Sequence, residues 1–213
     1  MVDHIEYTDL VMALAKSGDT IKSSPLNMHL WHMWTGVIGE LQETIDAFAE
    51  GDFNKIRKEC GDVGFYLTGV RRSFDSIPDV QVILEMAYHR ICDTNVIGSK
   101  LKDEALPIAC RELDKVKKLA VYNEEIDVEG SNRCYTQATR ILACVVTCYT
   151  LIYMRQYQIQ LPIELGVRNT IQLAWGDMIQ GNCDKLLKRY EGGVYSDQAA
   201  QQRVDVLNES PEE

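Results

Sequence analysis

An all-α fold is what this sequence predicts. Long stretches carry apolar residues at three- and four-residue spacing, the period of an amphipathic helix rather than the period of two of a half-buried strand. The Val/Ile/Thr-rich alternation of strands is scarce, and only five prolines and 14 glycines interrupt the 213 residues. A hydrophobic share of 46% with 25% charged residues supplies one substantial core or two small ones, as in an ordinary soluble globular chain.

The elements follow in order. A first helix is expected from about Tyr7 to Ser17 and a second from about Leu26 to Glu50, stopped by Gly51-Asp52. A third runs on to about Phe74, where "DSIPDV" breaks the pattern and opens a fourth near Val80. "KLKDEALPIACRELDKVKKLAVYNEE" reads as a loop and then a helix from about Leu106 to Tyr122, and "EIDVEGSNR" as a linker before a buried helix from Cys134 to Gln156. "QLPIELGVRNTIQLAWGDMIQGNCDKLLKRY" is a long last helix with Pro162 at its start and Gly192-Gly193 beyond its end, followed by a polar tail. Six or seven helices are expected.

Composition excludes several classes of function. A net charge of −10 repels a polyanion, and no basic stripe runs along the chain to support extended binding to DNA or RNA. A small phosphorylated ligand remains compatible, because a local cluster of cations, or a divalent ion, reverses the field inside one pocket. The start "MVDHIEYTDLVMALAKSGD" has neither a basic lead nor a long apolar core, so a cytoplasmic chain is expected. The most apolar run, Ile141 to Met154, is too short to cross a bilayer and reads as a buried helix, so no membrane role is expected. The seven cysteines are odd in number, scattered and without a CxxC pair, and read as reduced, mostly buried residues; Cys144 and Cys148, one turn apart, fit core packing better than a metal or redox role.

A faint internal echo joins two stretches. "GELQETIDAFAEGDFNKIRKECGDVGFYLTGVRRS" and the segment from Cys110 to Gln156 share a plan: a helix with Glu-Leu, a turn, then a helix whose second half is strongly apolar. The second stretch has Lys115 where the first has Glu43, and no acid pair where Glu59 and Asp62 stand, so only the first half can carry acid-dependent chemistry.

That chemistry starts from two pairs, Glu40/Glu43 and Glu59/Asp62. Residues three apart share a helical face at about 5–6 Å, so each pair is one acidic patch, and the Gly-Asp turn folds the two patches toward a common groove. Apolar neighbours, Leu41, Ile45, Ala47 and Phe48 on one helix and Ile56, Val63, Phe65, Tyr66 and Leu67 on the other, are expected to bury the helices beside the acids. Converging carboxylates repel one another and raise their own pKa values, a cost that a bound divalent ion removes. Oxygen-only ligands suit Mg²⁺, with Mn²⁺ as the substitute, and the lack of a Glu-x-x-His pair argues against iron. Against this stands the common solvated ExxE face of many surface helices.

A second constellation lies far downstream. In "GNCDKLLKRYEGGVYSDQAAQQR", Asn182, Lys185 and Arg189 fall about one turn apart on one face, an amide and two cations for phosphate oxygens. By itself "KLLKRY" is also an ordinary helix end, where Lys and Arg complement the macrodipole.

Taken together, "ELQE" (40–43), "ECGD" (59–62) and "NCDKLLKRYEGGVYSDQAAQQR" (182–203) resemble, in order, the motifs of the MazG-like all-α nucleoside triphosphate pyrophosphohydrolases, with dimeric dUTPases and phosphoribosyl-ATP pyrophosphohydrolase among them. The approach "HMWTGVIGE" is similar too. The resemblance implies a compact four-helix catalytic unit, usually completed by dimerisation, and so a homo-oligomer. It implies conversion of a (d)NTP to the monophosphate and pyrophosphate, in nucleotide-pool control or house-cleaning. Glu40, Glu43, Glu59 and Asp62 would then hold Mg²⁺, with Glu43 as the base for water. Lys185 and Arg189 would neutralise phosphate charge, and Asn182, Tyr190 and His32 would bind substrate. Trp31 and Trp34, also near the first motif, suit core packing better than base contact.

The sequence departs from the single-unit pattern, since about 120 residues separate Asp62 from Asn182 where the family has a few tens; this resembles a fused second copy, so a tandem-duplicated, pseudo-dimeric bundle with a degenerate second copy is expected. One domain is therefore expected over 1–213, with an acidic half (1–75) and a degenerate second half (80–205) that carries the basic motif; whether that motif serves its own chain or a partner is open. The sequence also leaves open a dUTPase-like enzyme restricted to one base, and a non-catalytic helical protein whose acidic face docks a basic partner.

Overall fold

The computed structural model describes residues 16–74, 80–93, 100–159 and 164–190, together with 14, 196 and 198, and these contain helices and turns but no strand. After a 3₁₀ turn (Gly18–Thr20) come α1 (Pro25–Glu50), α2 (Phe53–Arg72), α3 (Val80–Asp93), α4 (Leu106–Tyr122), α5 (Val128–Gln156) and α6 (Glu164–Arg189). Most of the expected first helix, the break after Phe74, Pro162 and the Gly192-Gly193 turn lie outside the described residues.

Local chemistry sets the boundaries of the site-bearing hairpin. Ser24 caps α1 by accepting from the Asn27 amide at 3.1 Å, with Pro25 in the first turn, where its missing N–H costs nothing. Gly51 ends α1 in the left-handed region at φ 77°, which glycine adopts without a Cβ clash. The next residue, Asp52, caps α2 by accepting from Asn54 and Lys55 amides at 2.9 and 3.1 Å. A two-residue connection thus reverses the chain and sets α1 antiparallel to α2.

Two elements begin earlier than the sequence suggested. The loop expected before Leu106 is a π turn (Leu101–Ala105) continuous with α4. The wide turn suits Pro107, whose ring has no N–H to bond and crowds the carbonyl four residues back. The linker expected before Cys134 is largely helix, because Asp127 accepts from the Gly130 amide at 2.6 Å and starts α5 at Val128.

The second pair of long helices packs on the first. Asn27 donates to the carbonyls of Leu119 and Glu124, tying the start of α1 to the end of α4. Phe53 stacks on Tyr149 while Arg71, at the other end of α2, meets Tyr135, so α2 and α5 run antiparallel. α6 lies across this pair: Asp177 takes Arg57 of α2 at 3.0 Å and the Tyr149 hydroxyl of α5. α3 is fastened to α6 by Arg168, which pairs with Glu85 and lies 4.0 Å over the Tyr88 ring.

One continuous core runs through these elements, with Leu30, Trp34, Val37 and Leu41 of α1 and Ile56, Val63, Leu67 and Val70 of α2. Ile141, Leu142, Val145 and Tyr149 of α5 and Ile171, Ala174 and Met178 of α6 complete it. Each fully buried large side chain contributes about 1.5–3 kcal/mol, so α1 and α2 depend on the later helices for their apolar faces. Cys144 and Cys148 lie within this core as free thiols. Helix α5 is long and apolar enough to span a bilayer by length and composition, with 67% of its most apolar window buried inside the protein.

Candidate functional site

On α1, Val37, Leu41 and Thr44 turn into the core, which leaves Glu40 half-buried and Glu43 exposed along the edge that faces α2. On α2, Glu59 and Asp62 are drawn inward because Cys60 and Val63 between and beside them are fully buried. Glu59 is 5% exposed and Asp62 9%. Carboxylate oxygens of Glu40, Glu43 and Glu59 lie within 4.8 Å of one another. The Glu40/Glu43 pair of α1 and Glu59 of α2 therefore converge across the hairpin.

Asp62, the fourth expected carboxylate, acts on Glu40 and Glu59 as a neighbouring charge and has partners of its own. Its Oδ1 accepts from Asn182 Nδ2 at 2.5 Å, and both its oxygens accept from Lys185 Nζ. The arrangement is three carboxylates next to a largely buried ion pair, with an amide that satisfies one remaining lone pair.

The contact between motifs depends on Gly61. A Cβ there would stand 2.9 Å from Asn182 Cβ and 3.0 Å from the Met178 carbonyl oxygen. Only a glycine lets the backbone of α6 lie this close to α2, and that approach brings Asn182 and Lys185 to Asp62. The two cationic and acidic motifs meet within one chain.

Electrostatics follow from the crowding. The Glu40 carboxyl is pushed up to about 7 from an ordinary 4.5, first by burial and then by the charges of Asp62, Glu43 and Glu59, with Lys185 opposing. Glu59 is raised as well, by burial and then by Asp62 and Glu43. Both carboxylates thus resist ionisation unless positive charge joins them.

Tyr66 links the acids to the remaining expected residues. Its ring covers Gly36, where a Cβ would come within 2.3 Å of Cε1, and it meets the exposed His32 edge-on at 6.0 Å between centroids. Burial, then Glu40 and Asp62, raise the Tyr66 hydroxyl, while Tyr190 and Arg189 also act on it. His32, Arg189 and Tyr190 therefore border the aromatic side of the groove, one step from the carboxylates. Trp34 is fully buried and Trp31 packs against the core, as expected of packing residues.

Sequence reasoning placed Tyr66 only among the burying neighbours and missed Gly36 and Gly61 as site-building residues; Phe65, expected to bury beside Tyr66, is instead 46% exposed, on the outer face of α2. A helical-face signal was there: Tyr66 follows Asp62 by four residues and Gly36 precedes Glu40 by four, so each shares a face with an acid. The second hairpin is built differently. Glu112, 2% exposed, is held between Lys115 at 2.8 Å and Arg133 at 3.1 Å and accepts from the Cys134 thiol. An internally neutralised cluster stands where that hairpin has its Glu-Leu motif.

Comparison of the chain with protein-family models, curated proteins and solved structures finds no match.

Proposed function

We propose that this protein is a Mg²⁺-dependent nucleoside triphosphate pyrophosphohydrolase. One observation carries the reading: Lys185 and Asn182 of the C-terminal motif meet Asp62 directly beside the Glu40/Glu43/Glu59 trio. Converging hard oxygen donors beside a cation and an amide suit a metal-bound polyphosphate better than a plain solvated face.

The donor set fits a divalent ion. Three carboxylates, one raised to about 7 by burial and mutual repulsion, gain stability when a cation joins them. Glu40, Glu43 and Glu59 would hold Mg²⁺, with Asp62 next to them, and the ion would supply charge neutralisation for the phosphate oxygens. Glu43, the exposed member, is open to water and takes the proton as the water oxygen attacks the α-phosphorus and the bond to the bridging oxygen breaks. Lys185 offers its charge to the departing pyrophosphate, and Arg189 guards the same side. Asn182 orients Asp62 and Lys185 and reaches sugar or phosphate. Tyr66 and His32 give an aromatic edge on which a base stacks.

A panel of standard and modified (d)NTPs with Mg²⁺, scored separately for pyrophosphate and orthophosphate, tests this. Monophosphate plus pyrophosphate in equal amounts is expected. Orthophosphate as the main product, or no turnover of any triphosphate, overturns it.

A further inference from the structure

A second cavity lies away from the acidic groove, at the end of α2 and the start of α5. It has a volume of about 450 Å³ and is lined by Phe74, Ile126, Val128, Ser131, Asn132 and Tyr135. That size falls in the range of small-molecule sites, and the lining joins three apolar side chains to three polar ones.

What sets the cavity apart is Arg71, directly behind its Tyr135 wall. Arg71 is 0% exposed, yet among the described residues no carboxylate pairs with it, and its Nε and Nη1 have no hydrogen-bond partner. Its one bond is from Nη2 to the Tyr135 hydroxyl at 2.8 Å, and its guanidinium lies 4.9 Å from the centre of the same ring. A fully buried guanidinium without a counter-charge is costly, and cation–π contact with one tyrosine offsets only part of that. Phe74, in the turn just past the end of α2 and three residues after Arg71, forms another wall of the cavity. The start of α5, with the positive end of its macrodipole, supplies Val128, Ser131 and Asn132.

We propose that this cavity is a second ligand site, which takes a small monocarboxylate with an apolar body. The Tyr135 hydroxyl accepts from Arg71 and keeps its own hydrogen to donate outward, so it passes the buried charge on to a carboxylate. The Asn132 amide is a second donor, whereas the Ser131 hydroxyl already donates to the Asp127 carbonyl at 2.9 Å. Phe74, Ile126 and Val128 receive the apolar body. A single carboxylate matches the one uncompensated cation; Asp127 and Glu129 at the start of α5 work against a multiply charged phosphate. This site shares no residue with the acidic groove, so its test does not depend on pyrophosphohydrolase activity.

The test uses the full chain without nucleotide or metal, followed by thermal shift and titration calorimetry. Hexanoate and benzoate are the probes, with hexanol, benzyl alcohol and inorganic phosphate as comparators. The carboxylates are expected to raise the melting temperature saturably and to bind at least about tenfold more tightly than the matching alcohols and than phosphate. Arg71→Met should fold with an unchanged or higher melting temperature, because it removes a buried unpaired charge, and should lose the preference for carboxylate over alcohol. Tyr135→Phe should weaken carboxylate binding about tenfold and leave alcohol binding unchanged. The proposal is overturned if carboxylates bind no better than alcohols, if phosphate binds best, or if Tyr135→Phe keeps full carboxylate affinity; the Tyr135 variant decides the matter should Arg71→Met not fold.

Discussion

Glu43 and Asp62 sit in one motif set yet face different surroundings. Glu43 is exposed, so Glu43→Ala should leave the helical circular dichroism signal and the melting temperature near wild type while lowering Mg²⁺-dependent pyrophosphate release about 100-fold or more. Full activity in that variant would remove Glu43 from the chemistry. Asp62→Ala strands the Lys185 ammonium, 14% exposed, beside its lost partner, so it should cost both activity and about 3 kcal/mol of stability, read by urea unfolding. Glu40 governs pH dependence. Its carboxyl titrates at about 7 in the folded protein against 4.5 ordinarily, so between those values the folded chain holds more protons than the unfolded one. Stability is therefore greatest at the acid end and falls as pH rises through that window; Glu59, raised by the same causes, adds the same sign. Glu85 and Glu104, held low by Arg168 and Arg90, act below the window. Melting temperatures of the metal-free protein should fall from about pH 5 to about pH 8, with Glu40→Gln flattening the trend and Mg²⁺ opposing it. A wild-type melting temperature that climbs across this range contradicts the assignment.

At the scale of elements, the approach of α6 to α2 decides whether the two motifs meet. Gly61→Ala places a methyl group 2.9 Å from Asn182 Cβ and 3.0 Å from the Met178 carbonyl, neither of which is a flexible chain end. The helices must part, at a cost of about 1–3 kcal/mol, and the Lys185–Asp62 pair loosens with them. Pyrophosphate release should then fall together with thermal stability. Gly64→Ala is the matched control: its Cβ meets Met178 Cε at an ordinary 3.5 Å, so stability should change by less than about 1 kcal/mol. Because both substitutions gain helix propensity, equal losses from the two would mean that the closeness of α6 at Gly61 is not the cause.

For the whole molecule, the hairpin of α1 and α2 is an incomplete unit. Val63, Leu67 and Val70 of α2 lie in one core with Ile141, Leu142 and Val145 of α5 and Met178 of α6. Removing everything after Arg133 should expose those faces and yield an aggregating fragment without activity, followed by light scattering and gel filtration. A monodisperse, helical fragment would show that the first half has a core of its own.

The sequence by itself determined the helical class, because a three-to-four-residue apolar period and a few Gly or capped breaks need no knowledge of distant contacts. The turn at Gly51-Asp52 and the pairing of Glu40 with Glu43 and Glu59 with Asp62 were legible for the same reason: they rest on helix geometry within a few residues. Boundaries were less legible where a single side chain decides them, as Asp127 does by capping α5 inside an apparent linker, and as Pro107 does beside the π turn. Only the tertiary structure decided that Lys185 and Asn182, some 120 residues beyond Asp62, reach it in the same chain. It also decided that Asp62 pairs with Lys185, and that Tyr66 over Gly36 joins the acids to His32. Such facts depend on how closely two helix backbones pass, which is set by the side chains missing at Gly61 and Gly36, and no local period in the sequence records which distant helix fills the space.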